Sequence, residues 1–180
     1  RFWNEKTGRF GTVDLEGVMH DYGFTFLNNE AIYFGFTTPE QAKSIHAWLS
    51  GKRKVADDTS VGEDIYHWRF GPRTTTKRNT DYYAWVWNPD NFAWGNSVQD
   101  GGAVLAWSFY DLMTRINIAG PDDAECLLKE ITKWFDDTQA EGGFRAYYKK
   151  NPSRGILQGD NVAGGIGVDK EFLESILVPQ

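Results

Sequence analysis

The chain has 180 residues, 41% of them hydrophobic and 24% charged, which is an ordinary globular composition for a length that can build one core. Its formal net charge is −6 and its longest basic run is only Lys52-Arg53-Lys54, so we expect no nucleic-acid partner. No apolar run approaches the roughly 20 residues that a membrane-spanning helix needs, so we expect no membrane span. Aromatic residues make up 16% of the chain, which indicates either a heavily packed core or a cleft lined with rings.

The sequence indicates a single domain over residues 1–180, without a linker or a low-complexity tract. It begins without methionine and ends at Leu177-Val178-Pro179-Gln180, so we expect a fragment of a larger domain. One cysteine and no visible signal peptide leave the compartment open between periplasmic, extracellular and cytoplasmic. The sequence does not indicate an oligomeric state.

The first predicted helical hairpin covers residues 24–51. Its first half, 24–36, is apolar nearly all round, which predicts a helix that is buried on all sides. Its second half is predicted to be an amphipathic helix, with Thr38 as N-cap, Pro39 in the first turn and a stop near Gly51.

The second predicted hairpin repeats this order. Residues 103–118 are again apolar nearly all round, and Gly120-Pro121 then opens an amphipathic helix that ends before Glu141-Gly142-Gly143. A repeat of inner helix, short turn and outer helix predicts a ring of helical hairpins, in which the outer helices surround the inner ones.

The span 52–101 between the two hairpins is much longer than a turn and is rich in Gly, Pro, Asp, Thr and Trp. We predict a long aromatic-rich insertion, with short strands at 64–70 and 82–87 that form a β-hairpin. Long non-helical segments inside a compact domain tend to be functional. Beyond the second hairpin, Asp169 is predicted to cap a third inner helix that begins at Lys170.

The sequence matches the known patterns for metal sites, catalytic nucleophiles and nucleotide sites poorly. The three histidines show neither an HExxH spacing nor a neighbouring cysteine pair. Residues 57–68 fail the calcium-loop pattern because Val61 and Trp68 occupy ligand positions. No GxSxG, GxGxxG or P-loop pattern occurs. We therefore expect neither a metal nor an organic cofactor.

Carboxylates beside aromatic and amide side chains are the remaining candidates for chemistry. They form four groups, around Asp21, in 57–64, in 94–102 and from Asp169 to Glu174. Each group precedes a predicted inner helix or lies on a loop that leads into one, so in a hairpin ring the four would converge on one face. Such a face suits a sugar, since indole rings stack on pyranose C–H groups and two carboxyl groups can cleave a glycosidic bond. A single one of these acids is explained more simply as a helix cap or a solvated charge, and Asp169 fits the cap. For Asp100, in a Gln-Asp-Gly-Gly turn near Trp94, the functional and the structural interpretation weigh equally.

Three stretches resemble the six-hairpin glycosidase superfamily, whose members form an (α/α)6 toroid. Residues 94–102, with Gln99-Asp100-Gly101-Gly102, are similar to the Gln-Asn-Gly-Gly turn that opens an inner helix in that superfamily. Residues 20–28 (HDYGFTFLN) resemble its substrate-binding aspartate hairpin, and residues 167–179 resemble a later active-site hairpin. The resemblance implies a mainly α fold that forms part of an (α/α)6 toroid, and usually inverting hydrolysis by two acids without an organic cofactor. Asp100 stands where Asn is more frequent.

The resemblance also implies roles for individual residues. Glu63 or Asp64 would be the general acid, and Asp100 or Glu174 would be the base. The residues expected to bind an oligosaccharide or polysaccharide substrate are Asp21, Trp68, Arg73, Trp94 and Gln99. Two alternatives stay open. One is a non-catalytic carbohydrate-binding helical domain, and the other is a polysaccharide lyase of the same fold, in which His20 and Tyr22 would act.

Overall fold

A computed structural model of the chain describes residues 1–58, 74–77, 79, 107–143, 146, 147 and 150. Over these residues the protein is mainly helical, with two small antiparallel hairpins at its N-terminus. The strands are β1 (Trp3–Asn4), β2 (Arg9–Phe10), β3 (Thr12–Val13) and β4 (Met19–His20), and the helices are α1 (Thr25–Tyr33), α2 (Pro39–Leu49), α3 (Ser108–Ala119) and α4 (Pro121–Ala140). None of these four helices combines the length and the hydropathy that crossing a bilayer requires.

The N-terminal strands pair as β1 with β2 and β3 with β4. Each strand has two residues, which is too short for an alternating pattern to be visible in the sequence. The side chain of Asn28 fixes β2 to helix α1, because its amide accepts a hydrogen bond from the Phe10 N–H at 2.8 Å and donates one to the Phe10 carbonyl at 3.1 Å. The Phe10 ring also meets the Trp3 ring edge to face, with 5.1 Å between centroids.

The two helices predicted after Thr38 and after Gly120 are confirmed. Helix α2 starts at Pro39 with a capping box, in which Thr38 Oγ1 accepts from the Gln41 N–H and Gln41 Oε1 accepts from the Thr38 N–H. Gly51 follows its end with a φ of +76°, a left-handed conformation that glycine adopts without steric cost. Helix α4 runs from Pro121 to Ala140, immediately before the predicted break.

The inner helices lie where the sequence predicts them, but the prediction that they are buried on all sides is wrong. Phe34, Phe109 and Ile116 are 57%, 51% and 42% exposed. The buried positions of the two helices are mostly polar: Thr25, Asn28, Asn29 and Ile32 in α1, and Ser108, Asp111 and Thr114 in α3. Apolar content alone does not choose the buried face when polar side chains have partners inside, as Asn28 has in the backbone of Phe10.

The core lies between the first hairpin and the N-terminal strands. Its buried members are Ile32, Ala42, Ile45, Trp48 and Leu49, with Trp3, Phe10, Val55 and Ile118 packed against them. Ile118 belongs to α3, so this core also joins the two hairpins.

Helices α1 and α3 pack against each other, and the Tyr33 ring at the end of α1 contacts the Phe109 and Tyr110 rings at the start of α3. Their N-terminal ends meet where the Phe26 ring stacks on the Trp107 ring, with 4.2 Å between centroids. Near their middle, Thr114 Oγ1 donates to the Asn29 carbonyl at 3.4 Å. Helix α4 follows α3 after the single residue Gly120 and packs back against it. The described part therefore contains two helix pairs, α1 with α2 and α3 with α4, that contact each other through α1 and α3.

The remaining predicted elements lie outside the described residues. These are the β-hairpin at 64–70 and 82–87, residues 103–106 at the start of the second inner helix, and the third inner helix from Lys170 to Leu177. They stay predictions.

Candidate functional site

Of the nine predicted site residues, only Asp21 is among those that the structure describes. The other eight, which lie outside the described residues, are Glu63, Asp64, Trp68, Arg73, Trp94, Gln99, Asp100 and Glu174. Their roles and mutual distances stay predictions. The described residues nonetheless define the surroundings of Asp21 in detail.

Asp21 is almost completely buried and fully hydrogen-bonded. Its side chain is 8% exposed. Oδ1 accepts from Arg9 Nε at 2.8 Å and from the Gly23 N–H at 3.0 Å. Oδ2 accepts from Thr7 Oγ1 at 2.6 Å and from Asn4 Nδ2 at 3.0 Å. Four donors thus occupy the carboxylate, which makes it an anchor of the fold; binding of a sugar hydroxyl by Asp21 stays a prediction.

Arg9 is fully buried and lies at the centre of this region. Its Nη2 donates to Asp58 Oδ1 at 3.1 Å, and its Nη1 donates to Asp58 Oδ2 at 3.2 Å. Nη1 also donates to Thr76 Oγ1 at 3.2 Å, and that hydroxyl donates in turn to Asp58 Oδ1 at 3.0 Å. The guanidinium therefore binds the Asp58 carboxylate through Nη1 and Nη2 and the Asp21 carboxylate through Nε. An arginine side chain can make these contacts together because its guanidinium group is planar.

Trp48 of helix α2 completes what we call the Arg9 cluster, which consists of Arg9, Asp21, Trp48, Asp58 and Thr76. The Arg9 Cζ lies 4.4 Å from the centroid of the indole ring, at a cation–π distance. The indole Nε1–H donates to Asp58 Oδ2 at 3.2 Å. One buried positive charge thus lies between two carboxylates, each of which has further hydrogen bonds that offset part of its desolvation.

Residues 74–77 pass directly beside the segment that enters helix α1. The N–H of Thr76 donates to the Tyr22 carbonyl at 3.0 Å, and the N–H of Thr25 donates to the Thr74 carbonyl at 3.1 Å. Gly23, with a φ of +64°, makes this approach possible, because a Cβ at that position would lie 1.8 Å from Thr76 Oγ1.

Five half-buried rings form a second feature, which we call the aromatic stripe: His20, Tyr22, Phe24, Phe26 and Trp107. Consecutive ring centroids in this order are 6.3, 6.0, 6.2 and 4.2 Å apart. The stripe begins at β4 and ends at the N-terminus of α3, so it crosses the N-terminal ends of both inner helices.

Backbone geometry explains why the stripe and the Arg9 cluster are neighbours. In an extended segment, successive side chains point to opposite sides. The side chains of His20 and Tyr22 therefore lie in the stripe, while the Asp21 side chain between them points to the other side, toward Arg9. At the outer end of the stripe, His20 Nε2 lies 2.8 Å from Asp14 Oδ2. This hydrogen bond and the Val18 N–H lower the pKa of Asp14 below its usual range.

A third group of titratable side chains lies between the two hairpins. Arg115 of α3 donates to Asp111 at 3.0 Å and to Asp123 of α4 at 3.0 Å. His46 of α2 is buried, and its Nε2 lies 3.8 Å from Asp123 Oδ2. Burial raises the pKa of Asp111 and lowers the pKa of His46. These contacts join α2, α3 and α4.

Among the described residues, no group of three or more His, Cys, Asp or Glu side chains could hold a metal ion. Comparisons of the chain with models of protein families, with curated proteins and with solved structures returned no match.

The sequence patterns did not predict a role for Arg9 or for most of the stripe. The stripe had a detectable signal, because His20, Tyr22, Phe24 and Phe26 alternate along the chain, but the alternation crosses from a strand into a helix. Arg9 had none, because its partners Asp58 and Thr76 are 49 and 67 positions away.

Proposed function

We propose that the chain forms part of the catalytic domain of a glycoside hydrolase with an (α/α)6 toroid, acting on an oligosaccharide or polysaccharide through two carboxyl groups. The observation that supports this best is the aromatic stripe across the N-terminal ends of the inner helices. Each of these rings is only half-buried, and the C–H faces of consecutive sugar residues can pack on accessible aromatic surface.

The packing of the helices supports the toroid. Helices α1 and α3 are in contact, and each is followed directly by another helix, which is the order of elements that a ring of helical hairpins repeats. In the proposed toroid, further hairpins outside the described residues would close the ring.

Chain connectivity supports the placement of the proposed acids. The segment with Glu63 and Asp64 leaves the described structure at Asp58 and re-enters it at Thr74. Asp58 belongs to the Arg9 cluster, which borders the stripe through Asp21. In the proposed reaction, Glu63 or Asp64 protonates the leaving oxygen and Asp100 or Glu174 activates water.

The proposal can be tested by incubating the intact protein with a library of defined oligosaccharides and measuring new reducing ends. We expect hydrolysis of at least one glycan, and we expect Asp100→Asn to abolish it while the thermal unfolding midpoint stays nearly unchanged. Tyr22→Ala removes one ring of the stripe and should raise KM about tenfold. The matched control is Phe36→Ala, which removes a 77% exposed ring outside the stripe and should leave KM unchanged.

The other outcomes identify the alternatives. Glycan binding that Tyr22→Ala weakens, without any cleavage, would indicate a non-catalytic carbohydrate-binding domain. Cleavage that yields an unsaturated product with new ultraviolet absorbance would indicate a polysaccharide lyase, and the adjacent rings of His20 and Tyr22 would then be its first candidates for the acid and base. Absence of both binding and cleavage across the library would contradict all three.

A further inference from the structure

We infer that Asp21 is a positioning residue of the proposed sugar site, which fixes the Tyr22 ring in the aromatic stripe and does not itself bind the sugar. The inference rests on the proposed function for what the stripe binds. It rests on the described contacts alone for how Asp21 holds the stripe. The sequence resemblance implies instead that Asp21 contacts the substrate, so an experiment has to separate the two roles.

The acceptor positions of the Asp21 carboxylate are all taken by the protein. An ionised carboxylate offers about four lone-pair sites. The donors, at 2.6 to 3.0 Å, are Arg9 Nε and the Gly23 N–H on Oδ1, and Thr7 Oγ1 and Asn4 Nδ2 on Oδ2. Since the side chain is also only 8% exposed, a sugar hydroxyl could bind this carboxylate only by displacing one of these donors.

The four donors come from two parts of the chain. Three of them belong to residues 4–9, which form the hairpin of β1 and β2. The fourth is the Gly23 N–H, two positions beyond Asp21 in its own segment. One carboxylate therefore ties the first hairpin to the main chain on both sides of Tyr22.

Tyr22 is also held at its own carbonyl. That oxygen accepts from the N–H groups of Thr76 and Lys77 at 3.0 and 2.9 Å. The main chain is thus fixed before, at and after this residue, which fixes the point from which the ring extends. The Tyr22 centroid lies 6.3 Å from that of His20 and 6.0 Å from that of Phe24.

These contacts make the two roles of Asp21 distinguishable. If Asp21 acts through Tyr22, its substitution weakens sugar binding mainly while the Tyr22 ring is present. If Asp21 binds the sugar directly, its substitution weakens binding equally with and without that ring. A double-mutant cycle measures this difference, because contacts that act independently give additive changes.

The cycle is measured on the intact protein. Asp21→Asn keeps the shape of the side chain but replaces one acceptor oxygen by a donor. Tyr22→Ala removes the ring, and the double variant carries both changes. Thr7→Val removes the hydroxyl that donates to Asp21 Oδ2 at 2.6 Å and leaves Asp21 itself unchanged. Ser44→Ala is its matched control, because it removes another hydroxyl bond to the same hairpin, from Ser44 Oγ to the Gly8 carbonyl at 2.9 Å.

Affinity is measured by isothermal titration calorimetry with four linear, neutral hexasaccharides: cellohexaose, maltohexaose, xylohexaose and mannohexaose. We expect Asp21→Asn to weaken binding about tenfold in the wild-type background and about twofold or less in Tyr22→Ala. Thr7→Val should weaken binding about threefold, again mainly with the ring present, and Ser44→Ala should leave it unchanged.

A second readout needs no sugar. The Gly23 N–H donates to Asp21 Oδ1, so its exchange with deuterium from the solvent reports on this contact directly. We expect this exchange, followed by NMR, to be about tenfold faster in Asp21→Asn and unchanged in Ser44→Ala.

An equal loss of affinity for Asp21→Asn in both backgrounds would overturn the inference, because Asp21 would then bind the sugar itself. Wild-type affinity in folded Asp21→Asn would overturn it too, as would a loss in Ser44→Ala that matches Thr7→Val. If Asp21→Asn does not fold, Thr7→Val decides by the same comparison with and without the ring.

Absence of binding of all four hexasaccharides to the wild type would count against the proposed function. Gly23 exchange then decides alone whether Asp21 holds this segment, and an unchanged rate in Asp21→Asn would show that it does not.

Discussion

The first hairpin and the second are held in place by different kinds of interaction. Around α1 and α2, the ion pairs are buried and shared among several partners, as in the Arg9 cluster. Beyond Asp123, which pairs with Arg115 at the start of α4, the described ion pairs within this helix are exposed and local, such as Lys129 with Glu125 and Lys133 with Asp137, four positions apart. Exposed pairs of this kind contribute little to stability, whereas a buried pair strongly penalises loss of one partner.

This difference shows in which part of the structure the positions of side chains are most restricted. A buried charge cluster is expensive to desolvate, so it is weak evidence for stability as such. It does restrict its members to one geometry, because each polar atom must keep its partner. In this protein that restriction lies beside the aromatic stripe, while α4 packs against α3.

The largest effect is expected when the buried cluster loses its cation. Arg9→Met keeps much of the side-chain volume but leaves the Asp21 and Asp58 carboxylates buried without their partner, which should lower the free energy of unfolding by about 3–5 kcal/mol. Urea unfolding followed by fluorescence measures this. Lys133→Met on α4 is the control and should cause no resolvable change. A loss below about 1 kcal/mol in Arg9→Met would mean that the cluster is not structurally coupled to the core.

A somewhat smaller effect is expected from the apolar core of the first hairpin. Ile45 is completely buried on α2, and Ile45→Ala should cost about 2–5 kcal/mol through lost burial and a residual cavity. Leu128, on the second hairpin, is 51% exposed, and Leu128→Ala should change stability by about 0.5 kcal/mol at most. Thermal and urea unfolding of both variants measure these losses of stability. Similar losses for the two variants would contradict the difference between the hairpins.

The smallest expected effect is a pH dependence of stability that arises at the contact between the two hairpins. Burial lowers the pKa of His46, and nearby Arg115 and Lys52 lower it further against the opposing effect of Asp123. The unfolded chain therefore takes up a proton at this position more readily than the folded protein. As a result, stability should decrease as the pH falls below about 6.5 and stop decreasing below the folded-state pKa.

His46→Gln tests this pH dependence. The variant lacks the titrating group, so its free energy of unfolding should fall less than that of the wild type between neutral and mildly acidic pH. Urea unfolding at a series of pH values gives the two curves. Parallel curves would show that His46 titrates alike in the folded and unfolded states.

Local signals predicted the helices well. Thr38, Pro39 and Gly51 predicted the start and the end of α2, because capping and backbone conformation are decided within a few residues. The burial of the inner helices was predicted wrongly for the opposite reason. Whether Asn28 of α1 or Phe34 directly after it lies inside depends on partners from other parts of the chain, which no local sequence window contains.

The candidate site shows the same division. Grouping of His20, Asp21 and Tyr22 near an inner helix was visible in the sequence, and the structure does place them at the N-terminal end of α1. What could not be foreseen is that Asp21 turns inward to Arg9 while its neighbours form an outward row of rings. The alternation of side chains along this segment is visible in the sequence. Which of the two sides faces the interior depends on where the N-terminal strands pack.

The sequence by itself determined the mainly helical class, the turns and the caps of this protein, because these follow from interactions within one or two helical turns. The tertiary structure alone decided that Arg9, Asp58 and Thr76 would share one buried cluster, because electrostatic and hydrogen-bond partners are chosen by distance in space and not along the chain. It also decided that the inner helices turn polar side chains inward and leave aromatic rings at the surface, since burial depends on what packs against each face.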